Sequence, residues 1–133
     1  MYLELLTPDE RRTFLDLAYQ AVEVDGEIAQ QEQEMIDSYK NECMLPDYVR
    51  SDRTIEQNLE ALKPSERSHR KIVLLELIGL WSADNVWKDE ELAMMDKVAK
   101  ELAIPDSRVN RIRRWSREFR QTIADGYHLL MED

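Results

Sequence analysis

Residues 25–32 read Asp25-Gly26-Glu27-Ile28-Ala29-Gln30-Gln31-Glu32, and residues 84–91 read Asp84-Asn85-Val86-Trp87-Lys88-Asp89-Glu90-Glu91. Each stretch separates two segments whose apolar residues recur at helical spacing. Upstream of the first lie Phe14, Leu15, Leu17, Ala18, Ala21 and Val22, a broad helical face. Gly26 can take the left-handed backbone that ends a helix. Downstream, Met35, Ile36, Tyr39 and Cys43 line one side of a second helix that stops before Pro46. Laid on itself at an offset of 59, the chain repeats Asp25, Glu32, Met35, Asp37, Glu42, Pro46 and Asp47, giving 7 identities in 23 positions. The duplicated unit is a helical hairpin.

Working outward, Thr7-Pro8-Asp9-Glu10 predicts a helix start, with Thr7 as cap and Glu10 closing a capping box. The predicted helices then run from Pro8 to Asp25-Gly26, over 30–45, over 53–62, from Pro64 to about 83, over 89–103, and from Pro105-Asp106 to Asp125-Gly126. Segment 72–83 is apolar nearly all round, which predicts a central, buried helix, and Gly79 there would admit a close neighbour. No segment reads as a strand. The fold expected is all-α: one domain over 1–133, with six to seven helices, pseudo-symmetric halves over 7–62 and 63–124, and a tail over 125–133.

Composition agrees. Of 133 residues, 43% are hydrophobic and 35% charged, a globular balance. Only 3 Gly and 4 Pro leave little turn chemistry for a many-stranded fold. The longest apolar run contains Glu76 and is too short to span a bilayer. The start lacks a basic leader, and the single Cys43 excludes an internal disulfide. Together these predict a cytoplasmic protein with no membrane insertion.

Net charge is −10, and residues 1–66 hold 16 acidic against 6 basic side chains. This acidity argues against nucleic acid as a partner and favours cations or basic protein surfaces. Segment 108–120 runs the other way, with six arginines beside an apolar stripe. It is expected to lie against the protein's own acidic half.

The two loops, with Asp25, Gly26, Ile28 and Glu32 and the weaker copy at Asp84 to Glu91, resemble the TerB-like family. That family is named for a tellurite-resistance protein and is shared by the N-terminal domain of DjlA-type co-chaperones. The resemblance covers about residues 8–124. It implies an all-α fold with internal pseudo-symmetry, a setting in bacterial stress response or chaperone-associated assemblies, and a divalent cation (Ca²⁺, Mg²⁺ or Mn²⁺) on Asp25, Glu32, Asp84 and Glu91. The chain departs from the pattern at Ala29, Asn85 and Lys88, and it has no His-Pro-Asp motif.

Two readings of these carboxylates stand side by side. Hard cations need several convergent oxygens, whereas a glutamate in a first helical turn is stabilised by free amides and the helix dipole. An EF-hand is excluded, because its third, fifth and twelfth loop positions are Glu27, Ala29 and Ile36, or Val86, Lys88 and Met95. Ile28 and Trp87 read as loop anchors plugging the core. Glu76 either joins Asp16 and Glu23 in an internal acidic site or pairs with an arginine or lysine. His69 reads as a solvated first-turn residue and Cys43 as core. With no phosphate loop, nucleophile elbow or zinc motif, the chain is expected to be non-enzymatic and to work through a protein partner. Its oligomeric state is left open.

Overall fold

Thr7 and Glu10 start the first helix as their spacing predicts. The Thr7 hydroxyl accepts from the Glu10 amide at 3.2 Å, and the Glu10 carboxylate accepts from the Thr7 amide at 2.7 Å. In the computed structural model, which describes residues 1–83 and 86–132 with Asp25 by its backbone alone, six α-helices follow one another. They are α1 (Pro8–Val22), α2 (Gln30–Glu42), α3 (Ile55–Leu62), α4 (Arg67–Trp81), α5 (Asp89–Glu101) and α6 (Asp106–Met131), with short 3₁₀ turns at Leu3–Leu5 and Glu23–Asp25. Among the described residues there is no strand, and no helix is long and apolar enough to cross a membrane.

The bounds of the helices repeat. Adding 59 to α1 gives α4, and adding 59 to α2 gives α5, residue for residue. The exits repeat too. After α2, the Leu45 amide donates to Lys40 C=O at 2.9 Å and the Met44 amide to Asn41 C=O at 3.0 Å. After α5, the Ile104 amide donates to Ala99 C=O at 2.9 Å and the Ala103 amide to Lys100 C=O at 3.1 Å. Both are Schellman turns, and both place a non-glycine residue in the left-handed region.

α1 and α4 form the centre. α1 packs on α2, α3 and α4, while α4 also holds α5 and α6. Phe14, Leu15, Leu17 and Ala18 of α1 and Leu74, Leu77, Ile78 and Leu80 of α4 are fully buried. The centrality expected of the fourth helix alone is thus shared with the first. One apolar cluster draws side chains from all six helices.

Two expectations about helix limits need correction. α4 begins at Arg67, not Pro64, because the Ser65 amide turns back to Leu62 C=O at 3.0 Å and Pro64 stays in that turn. Pro46-Asp47, the first-half counterpart of Pro105-Asp106, starts no helix and lies in the loop expected between the second and third helices. Asp16 of α1, nearly fully buried, instead collects the Tyr48 and Ser51 hydroxyls and the Ser51 amide, pinning the loop to the core. Finally, α6 does not stop at Asp125-Gly126 to leave a tail but runs to Met131. A glycine ends a helix only where it turns left-handed, and Gly126 does not.

The carboxylates Asp16, Glu23 and Glu76 do not meet. Glu23 pairs with Arg50. Glu76, 5% exposed, accepts from the Met1 ammonium and the Tyr2 amide at 3.0 Å each. Its partner is therefore neither an arginine nor a lysine. Glu42 takes the same ammonium at 2.9 Å and the Leu3 amide at 2.8 Å, which seats Leu3 in the core.

Candidate functional site

The sequence singles out the two interhelical loops. Gly26 adopts φ 87°, the left-handed turn expected of it. Glu32 is 7% exposed and accepts from the Ala29 amide at 2.9 Å; Glu91 is 2% exposed and accepts from the Lys88 amide at the same distance. Each glutamate satisfies one amide that a helix start leaves without an intrahelical partner. Neither Ala29 nor Lys88 offers a side-chain acceptor in return, so each box closes from the glutamate side alone. The Asp25 side chain, Asp84 and Asn85 lie outside the described residues. Among the described residues no three His, Cys, Asp or Glu side chains converge as a metal site.

The anchors of the two loops differ. Trp87 packs against the core, donates from its indole nitrogen to the Ser82 hydroxyl at 2.9 Å, and carries the Arg113 guanidinium 4.6 Å from its ring centre. Ile28 is 39% exposed, so it is not the core plug the sequence suggests. His69 departs from expectation as well. It is largely buried, with Nδ1 2.8 Å from the Glu10 carboxylate. Burial works to raise the Glu10 pKa, but hydrogen bonds from Ser65, the Thr7 amide and His69 outweigh it and hold the value below 4.5. Cys43 is core, and burial, aided by Glu42 and Glu76, pushes its thiol up to about 11. A thiol so displaced carries almost no thiolate at neutral pH.

A wide concavity lies elsewhere. A groove of about 980 Å³ runs between α2, α4 and α6, at the upper end of the range for binding pockets. Its floor is Met35, Tyr39, Leu75 and Gly79, and its wall is Trp115, Phe119, Ile123 and Tyr127. The Tyr39 hydroxyl donates to the Glu76 carbonyl at 3.0 Å, and Trp115 stacks on Phe119 with centroids 5.4 Å apart. The floor and the root of the wall are therefore held in place by packing and hydrogen bonding.

α6 makes the wall by overhanging the molecule. Its buried residues are Val109, Ile112 and Ser116, all in its first half. The same face continues outward with exposure rising from 37% at Phe119 to 46% at Ile123, 63% at Tyr127 and 79% at Leu130. At 1.5 Å per residue the projecting half extends roughly 20 Å. Four of its arginines make no ion pair with the acidic half, against which the helix was expected to lie. Arg108, Arg111, Arg114 and Arg117 are exposed, and none is in an ion pair with a described residue. The signal for this overhang lies in the sequence: the apolar period of Ile112, Phe119 and Ile123 continues through Tyr127 and Leu130 past Gly126.

No family model, curated protein or solved structure matches the chain.

Proposed function

We propose that the chain is a non-enzymatic helical interaction module whose working surface is the groove between α2, α4 and α6. One observation carries this reading: the apolar face of α6 continues, uncovered, beyond the body that its first half packs against. Contiguous exposed apolar surface beyond a few hundred Å² marks a binding face. Here it adjoins a preformed cleft whose accessible lining is mainly apolar.

Membership of the TerB-like family, and with it a cytoplasmic role in stress response or chaperone-associated assembly, remains part of the proposal. The match of helix bounds at an offset of 59 supports it. The cation reading of Asp25, Glu32, Asp84 and Glu91 rests on sequence. The bonds made by Glu32 and Glu91 support capping as their role.

The test is binding of a hydrophobic fluorescent dye, anilinonaphthalene sulfonate, to dilute native protein. Met35→Glu and Ile123→Glu charge opposite sides of the groove, and each is expected to abolish most of the signal with helical content unchanged. A signal absent from the native protein, or indifferent to both substitutions, overturns the reading.

A further inference from the structure

We infer that the groove's occupant is a second copy of this chain, in a two-fold dimer where the projecting half of each α6 lies in the groove of the other. This inference rests on the reading of the groove as the working surface.

The first argument is what a foreign helix would leave uncovered. The groove ends at Tyr127, yet Leu129, Leu130 and Met131 beyond it are 74–79% exposed. A helix filling the groove alone would leave them in water. A second copy covers both surfaces with one operation, since stripe and cleft adjoin on the same face. A two-fold contact requires that self-complementarity.

The direction of pairing follows from periodicity and charge. With antiparallel α6 helices crossing at Ile123, that residue meets its own counterpart and Phe119 meets the partner's Tyr127, which joins the two stripes. The arginine-bearing root of each helix, with Arg114 and Arg117 free of described ion pairs, then approaches the C-terminal end of the other. That end is negative through the helix dipole and carries Glu132. A parallel pairing would set arginine against arginine.

Sedimentation velocity over a wide concentration range tests this, together with crosslinking. The native chain is expected to double its mass as concentration rises, and Ile123→Glu and Tyr127→Glu to remain monomeric. Both positions are exposed enough to accept glutamate without unfolding. In a Cys43→Ser background, Ile123→Cys should form a disulfide dimer with oxidised glutathione, whereas Arg114→Cys should not. A dimer that survives both glutamate substitutions, or an Ile123→Cys variant that does not crosslink, overturns the inference. If the native chain stays monomeric while dye still binds the groove, the second copy is wrong and the interaction reading stands. If it stays monomeric and binds no dye, both fall.

Discussion

Met44 and Ala103 hold the same left-handed backbone, φ 57°, at the same place after α2 and α5. Each lets the following amide reach back to close a Schellman turn. The position ordinarily belongs to glycine, since a Cβ in this conformation costs roughly 1–2 kcal/mol. Both residues are exposed, so little packing opposes a change. Met44→Gly and Ala103→Gly are each expected to stabilise the fold by about 0.5–1 kcal/mol, after the added unfolded-chain entropy of glycine is set against the relieved strain. Urea denaturation curves measure this directly; a lower midpoint in either variant would contradict it.

Glu32 and Glu91 as caps make a different expectation from Glu32 and Glu91 as ligands. Glu32→Ala and Glu91→Ala should each lose about 0.5–2 kcal/mol. Glu32→Gln, whose amide oxygen accepts the same bond, should recover most of that loss. The deficits should be equal in chelator and in millimolar Ca²⁺, Mg²⁺ or Mn²⁺, read as thermal midpoints. A native protein stabilised by one cation, with that gain lost in the variants, would instead place metal at the loops.

Glu10 ties helix capping to pH. Its carboxyl titrates lower in the folded chain than its ordinary 4.5, so the folded state binds fewer protons there than the unfolded state does. The stabilisation is complete above pH 4.5 and is lost as pH falls through the folded value. Glu10→Gln should flatten that part of the acid limb in a chemical-denaturation series across pH 2–6. An unchanged acid limb would show that Glu10 is not a contributor.

Gly79 does not hold a close neighbour, contrary to what its place in an apolar helix suggests. A Cβ built there meets only the Tyr39 hydroxyl, at 3.8 Å, and one at Gly126 meets nothing within 4 Å. Both glycines are helical, so Gly79→Ala and Gly126→Ala should each stabilise by about 0.5–1 kcal/mol. Loss of stability at Gly79→Ala would mean that Tyr39 cannot yield. Because Gly79 lies on the groove floor, the same variant should also weaken dye binding.

Much of the architecture was legible because helices answer to local rules. The Thr7 cap, the Gly26 turn and the offset of 59 lie within a few residues of the bonds they govern, and the helix bounds follow. Where tertiary bonds decided the outcome, the reading failed, as at His69, read as solvated but held against the Glu10 carboxylate. Pro46-Asp47 and Pro105-Asp106 share a dipeptide, but only the first is followed by Tyr48 and Ser51 in reach of buried Asp16. Gly126 suggested a stop where the helix simply continues.

The site divides the same way. The glutamates Glu32 and Glu91 were visible as residues that cap or ligate, since either role depends on the first helical turn. The groove was not visible, because Met35, Leu75 and Ile123 come from three helices and only packing brings them together. The amino-acid order alone determined six helices, their duplicated caps and an amphipathic α6 flanked by arginines. Only the tertiary structure decided that half of that helix finds no neighbour, because periodicity defines which face is apolar and the number of helices within reach determines how much of it is covered.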